Sequence, residues 1–168
     1  ISSNPTHGRF AASFDGGESW IESSLDLPLL YGGAVDLVRD IHFKDIYSGL
    51  VVTEFGTILS TSDGGNSWTR DTSFRPMDEK PSVMRCVVSN SSQSYICGGG
   101  GTVFESVDKS ENWQISSGGL NSIGAVFFID EENWLMGGEG NEIFRTSNEG
   151  VNWNIAGRTK SGNIFSMT

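Results

Sequence analysis

Short apolar runs alternate with clusters of Gly, Asn, Asp and Ser along the whole chain, and few stretches favour a helix, so the pattern predicts an all-β protein. The runs recur in a fixed order. A first apolar strand (a) carries the markers Ile41, Cys86 and Val126, and a second (b) spans 49–53, 94–97 and 133–136. A turn at Gly8, Gly56, Gly101 or Asn141 opens a third strand (c), which holds Phe10, Ile58, Val103 and Ile143. A fourth strand (d) follows the octapeptide Ser/Thr-x-Asp/Asn-x-Gly-x-x-Trp.

That octapeptide occurs four times, at 13–20, 61–68, 106–113 and 146–153, with spacings of 48, 45 and 40 residues. Its letters are Ser13, Asp15, Gly17 and Trp20, then Thr61, Asp63, Gly65 and Trp68. The third copy has Ser106, Asp108 and Trp113 with Ser110 at the glycine position, and the fourth has Thr146, Asn148, Gly150 and Trp153. Each strand-a marker stands 22 residues before its box acid, so three copies carry no net insertion.

Four antiparallel strands per 40 to 48 residues is the spacing of a β-propeller blade. The expected fold is therefore an all-β propeller of about four four-stranded antiparallel blades in a single domain, 1–168. Blade 1 is expected from 1–24 plus 163–168, blade 2 from 40–72, blade 3 from 84–117 and blade 4 from 124–158. Residues 163–168 match strand a of a further unit, while Ile1 falls within strand b, so the termini complement one another. The expected ring closes by pairing the C-terminal strand a with N-terminal strands b to d, protecting sheet edges; an excerpt from a longer array is the rival. Length variation falls in the d-to-a connections, where variable loops on a constant scaffold carry specificity.

The box letters describe a tight turn. A short acid accepts backbone N–H bonds, glycine supplies positive φ, the Ser/Thr hydroxyl joins the network, and Trp packs between sheets. These residues resemble the Asp-box, or bacterial neuraminidase repeat, over essentially the whole chain, and the resemblance implies a structural turn on the propeller periphery, remote from the binding face. The dense array is similar to the photosystem II assembly and stability factor family, to xyloglucan-degrading glycosidases and to sortilin-type receptor domains. The segment 56–68, Gly-Thr-Ile-Leu-Ser-Thr-Ser-Asp-Gly-Gly-Asn-Ser-Trp, is especially close to the assembly-factor pattern. Those relatives usually have more blades, and the assembly factors use an arginine patch that this acidic chain does not display.

Composition narrows the function. The formal charge is -10 with 11 scattered basic residues, which gives no stripe to neutralise phosphates; nucleic acid and anionic membranes are not expected partners. No apolar run is long enough for a membrane helix, and Ile1 begins in domain-like sequence, as expected of a mature product or an excised domain. The expected location is secreted, periplasmic, lumenal or on a cell or virion surface.

Chemistry is sparse. His7 and His42 have no metal-ligand spacing, so no metal site is expected; His42 either lines the channel or is a satisfied structural residue. Asp36, Asp40, Glu54 and Glu139 are the carboxylates near loop ends that glycoside hydrolysis would need in a pair. Arg9, Arg39, Arg70, Arg75, Arg85, Arg145 and Arg158 do not assemble a sialidase triad. Cys86 and Cys97, symmetric about Ser91 and Ser92, are candidates for a cross-strand disulfide at a non-hydrogen-bonded site, with two buried free thiols the alternative. Residues 90–92 form a glycosylation sequon, and 98–101 read as a turn rather than a phosphate loop. No cofactor is expected, and calcium is the one ion that many acidic turns would suit.

In propellers the d-to-a and b-to-c connections share a face around the channel. That face gathers His7, Asp36, Phe74 and Arg75 together with the candidate ligand-binding set Tyr31, Arg39, Asp40, Glu54, Phe55, Arg85, Glu139 and Arg158. The long connections 21–40 and 71–84 rise from adjacent blades. The expected function is a non-catalytic extracytoplasmic recognition or adhesion module that binds a protein or surface glycan through this face, as a receptor-binding head or assembly factor would. A sialidase-like glycoside hydrolase fragment and a structural oligomerisation domain are the alternatives.

Overall fold

The computed structural model describes residues 8–27, 36–71, 83–91, 93–106, 113–117 and 121–167, the last strand residues 115–117 by backbone only. It is built from antiparallel sheets, as the alternating pattern predicts. The first sheet pairs β1 (Gly8–Ala12) with β2 (Ile21–Leu25). The second runs β3 (Val38–Phe43), β4 (Gly49–Thr53), β5 (Ile58–Thr61) and β6 (Thr69–Arg70) in chain order. The third holds β7 (Met84–Ser89), β8 (Ser94–Gly98), β9 (Val103–Ser106) and β10 (Gln114–Ser117). The fourth holds β11 (Ile123–Phe128), β12 (Trp134–Gly138), β13 (Glu142–Thr146) and β14 (Asn154–Arg158). We refer to these sheets as blades 1 to 4.

The blades pack face to face, and each interface is an apolar cluster fed by period-2 alternation on both strands. Leu25 and Leu27 of blade 1 meet Val51 and Leu59 of blade 2, with Phe10 and Trp68 at the edge. Leu50, Val52 and Ile58 on the other face of blade 2 meet Met84, Val87, Ile96 and Phe104 of blade 3. Tyr95, Cys97 and Val103 then meet Val126, Trp134 and Met136 of blade 4. Trp134 is fully buried, with its ring edge-on to Tyr95 at 4.7 Å and to Phe128 at 4.8 Å. Central strands such as β4 and β8 are buried on both faces, so they read as unbroken apolar runs.

The register corrects the spacing of the markers. Phe43, Ser89 and Phe128 each face the residue that pairs with the box Ser/Thr, and the a-to-b turn of blade 3 is one residue shorter than the others. Structurally, Val87 and not Cys86 is the counterpart of Ile41 and Val126; Cys86 corresponds to Asp40 and Ala125. The one-residue deletion in the blade 3 turn is not compensated between strand b and the box, so counting 22 residues back from Asp108 falls on Cys86, one residue before Val87.

The expected closure of the ring within one chain is not seen. Among the described residues β1 and β2 pair only with each other, and 163–167 form no strand with them. That segment continues past blade 4 instead: the Ile164 N–H donates to Gly138 O at 3.0 Å, and Ile164 and Met167 rest over Gly137.

Candidate functional site

The first, second and fourth Asp boxes are closed hydrogen-bond networks. The Thr61 hydroxyl donates to Asp63 Oδ1 (2.8 Å) and accepts the Gly65 N–H (3.0 Å), while the Ser67 N–H and hydroxyl donate to the two carboxylate oxygens at 2.9 and 2.6 Å. Ser13, Asp15, Gly17 and Ser19 repeat this arrangement. Thr146, Asn148, Gly150 and Asn152 repeat it with an amide oxygen in place of the carboxylate. Gly65 has φ 89° because its N–H must turn back onto Thr61, a conformation that costs other residues energy. The Ser67 hydroxyl, the Ser67 N–H and the Thr61 hydroxyl together hold Asp63 down to about 2, and Asp15 lies well below the usual carboxylate range for the same reason. These carboxylates are committed to their turns. Asp108 and Ser110 of the third box lie outside the described residues.

The innermost strands β3, β7 and β11 line a cavity of about 620 Å³ together with Phe165, Ser166 and Met167. Each strand bulges at the same place, at Arg39, Arg85 and Gly124, where one extra residue interrupts the pairing with strand b. A bulge redirects its side chain away from the sheet's regular alternation. Arg39 thereby reaches Glu54 in its own blade at 2.7 Å, and Arg85 reaches Glu139 in the next blade at 3.1 Å. Both pairs are partly solvated. Gly124 has no room for a side chain because the Ile164 carbonyl occupies the position its Cβ would take.

Asp40 and His42 also line this cavity, and both are engaged by the neighbouring blade. Asp40 Oδ2 accepts the Val87 N–H at 2.9 Å, and His42 Nε2 donates to Ser89 O at 2.9 Å, since a carbonyl can only accept. An innermost strand has one unpaired edge, and these two side chains satisfy part of it. Asp36 is buried and accepts from the Thr53 hydroxyl (2.6 Å), the Thr57 hydroxyl (2.7 Å) and the Phe55 N–H (3.0 Å).

The structure therefore gathers Arg39, Asp40 and Arg85 on the cavity wall and sets Glu54 and Glu139 against the two arginines. Phe55 is an exposed side chain on the b-to-c turn. Arg158 stands apart at the end of the outer strand β14, bonded to Glu142 at 2.8 Å. Tyr31, His7, Phe74 and Arg75 lie outside the described residues. Residue spacing missed the shared bulge of Arg39 and Arg85, because the bulges show only in the strand register. Among the described residues no group of three or more His, Cys, Asp or Glu is placed to hold a metal.

Cys86 and Cys97 are direct cross-strand partners, and both thiols are free and buried. Their site is the wide kind. The Asn90 N–H bonds Gln93 O across the turn, and the alternation of an antiparallel ladder then makes the 86/97 pair hydrogen-bonded, not the narrow non-hydrogen-bonded site expected for a disulfide. The hydrogen bond with the Cys86 thiol, and then burial, raise Cys97 well above the usual thiol range.

These blades and boxes define an Asp-box β-propeller arc. The family described as "Photosynthesis system II assembly factor YCF48" matches residues 33–167, and the chain belongs to that family. The solved structure "YCF48 bound to D1 peptide" is 19% identical with a TM-score of 0.65, over 92% of this chain and 45% of that one. YCF48 from Cyanidioschyzon merolae is 23% identical with a TM-score of 0.58, over 71% and 37% of the two chains. The GH74 xyloglucanase from Xanthomonas campestris shares the fold at 16% identity and a TM-score of 0.58, over 86% and 26%. The chain thus spans less than half the length of these solved structures. No curated protein matches.

Proposed function

We propose that this chain is a non-catalytic assembly-type factor that binds a segment of a client protein at the rim of the axial cavity, in a lumenal or other extracytoplasmic compartment. The observation that carries this reading is the pair of bulge arginines, Arg39 and Arg85, set on adjacent innermost strands at the wall of a 620 Å³ cavity. Each is countered by a partly exposed glutamate, so an incoming carboxylate or backbone carbonyl can exchange with Glu54 or Glu139 at small cost. Ile41 and Phe165 supply exposed apolar surface beside them. Family membership supports a protein ligand, and the structure "YCF48 bound to D1 peptide", which shares this fold, is a peptide complex.

Catalysis finds little support. A hydrolase needs one carboxyl free to hold a proton and another free to attack or activate water. Asp40 is bonded to the Val87 N–H, Asp36 to two hydroxyls and an N–H, and Glu54 and Glu139 to arginines. Residues 1–168 form one propeller-type domain in this proposal, with no cofactor; calcium is expected to leave binding unchanged.

Parallel arrays of peptides and glycans, probed with the whole chain, test the proposal. Binding to a sequence-restricted set of peptides, insensitive to calcium chelation, is the expected result. Binding to glycans alone, or to neither array, would overturn it.

A further inference from the structure

At the end of the blades away from Arg39 and Arg85, the turns carry large apolar side chains that the scaffold does not need. Phe14 is 62% exposed, Ile46 68% and Tyr47 61%. Phe14 holds the second position of its Asp box, where Ser62 and Ser147 stand in the second and fourth boxes. Ile46 and Tyr47 lie in the a-to-b turn 44–48 of blade 2, and the strand register makes Glu131 and Glu132 their counterparts in blade 4. Both turns close with the same backbone bond, the Gly64 N–H to Tyr47 O at 2.8 Å and the Glu149 N–H to Glu132 O at 3.1 Å. Polar residues therefore serve these positions equally well, as is usual in turns.

The apolar side chains meet in one patch. A Cβ on Gly64 would stand 3.1 Å from Ile46 O and 3.4 Å from the Phe14 ring, so the first box, the second box and the blade 2 turn converge there. The backbone beneath is fixed: Asp45 Oδ1 accepts the Tyr47 and Ser48 N–H groups at 2.8 and 2.7 Å, and Asp15 and Asp63 close their boxes. Phe14 does not owe its exposure to its place in the first blade. Ser62, at the same box position in a blade flanked on both sides, is exposed as well, and that flanked blade is the one carrying Ile46 and Tyr47.

The surroundings select the occupant. Glu18, Asp45, Asp130, Glu131, Glu132 and Glu149 are all exposed on the turns at this end, and Lys44 is the one basic side chain among the described residues of those turns. Contiguous exposed apolar groups mark an interaction site. An acidic rim repels anionic lipid and a second copy of the same face, and it attracts lysine and arginine.

We propose that Phe14, Ile46 and Tyr47 form a second docking surface, at the opposite end of the blades from the arginine-lined cavity, for a partner protein that presents an apolar segment flanked by lysine or arginine. The three side chains anchor the apolar residues of the partner, and the acidic turns around them steer its basic ones. Contact here leaves Arg39 and Arg85 free, so the chain can hold one protein at each end of its blades. The surface stands independently of what the cavity binds.

Fluorescence anisotropy with three labelled peptides tests this: one of leucine, alanine and lysine, one with glutamate for each lysine, and one with serine for each leucine. The leucine/lysine peptide is expected to bind the parent chain, less tightly as salt rises, with the other two weaker on the order of tenfold or more. Phe14→Ser/Ile46→Ser keeps every charge and replaces exposed side chains, so its unfolding midpoint should match the parent while its affinity for the leucine/lysine peptide falls by a similar factor. Arg39→Ala/Arg85→Ala should bind that peptide as the parent does. No binding of the leucine/lysine peptide, equal binding of the serine peptide, undiminished binding by Phe14→Ser/Ile46→Ser, or loss in the arginine variant would overturn the proposal. Capture of the parent chain by phosphatidylglycerol vesicles, or a dimer that Phe14→Ser/Ile46→Ser dissociates, would overturn it too by assigning the patch to lipid or to a second copy.

Discussion

Asp40 of blade 2 accepts the Val87 N–H of blade 3 at 2.9 Å, so a side chain of one innermost strand closes the open edge of the next. The same acid looked like a catalytic carboxylate from its place near a loop end. Replacing it by alanine leaves the Val87 N–H without its partner, and an unsatisfied polar group of that kind costs about 1–3 kcal/mol. Urea unfolding should show that loss for Asp40→Ala, with Asp40→Asn recovering most of it because an amide oxygen still accepts.

The box acids make stability depend on acid pH. Asp63 is lowered from 3.8 to about 2 in the folded chain, so the stability it contributes is fully present above about pH 4 and is lost as pH falls through about 2. The box of blade 4 works with Asn148, which cannot titrate. The difference in unfolding midpoint between the parent and Asp63→Asn should therefore shrink from pH 5 to pH 2; a constant difference would contradict the assignment.

Gly65 and Gly17 occupy the same box position with φ 89° and 95°, but only Gly65 abuts the blade before it. Gly65→Ala is expected to lose the backbone preference, about 1 kcal/mol, plus the clash with Phe10, and Gly17→Ala the backbone part alone. Comparing the two by thermal unfolding isolates the inter-blade contact.

Most of the scaffold was legible in the sequence, because a turn that needs Ser/Thr, Asp and Gly at fixed offsets can be recognised wherever it recurs. Strands b and c followed from apolar runs counted back from the box. Two features were not legible. The one-residue deletion in the a-to-b turn of blade 3 is not compensated before the box, so counting back from the box placed Cys86 opposite Ile41 and put the Cys86/Cys97 pair at the wrong kind of site. Arg39 and Arg85 sit at different distances from their box acids, so their shared position emerged only from the bulges. Ring closure was not legible either: matching ends show which strands a ring needs, not whether they meet.

Trp134 bridges blades 3 and 4 through Tyr95 and Phe128 and is fully buried. Trp134→Ala should cost about 3–5 kcal/mol and remove much of the near-UV dichroism. Trp20→Ala, at an exposed site of the single chain, should leave the dichroism of that cluster intact.

Calorimetric titration of an array-selected peptide tests the central claim most directly, comparing the parent chain, the Arg39→Ala/Arg85→Ala variant and an Arg9→Ala/Arg145→Ala control of equal charge. Both variants remove partly exposed arginines, so folding should change by no more than about 1 kcal/mol per ion pair. The account predicts affinity weakened on the order of tenfold or more for the cavity pair and unchanged for the control. Equal affinity for the parent and the cavity variant, or equal loss in both variants, would contradict it.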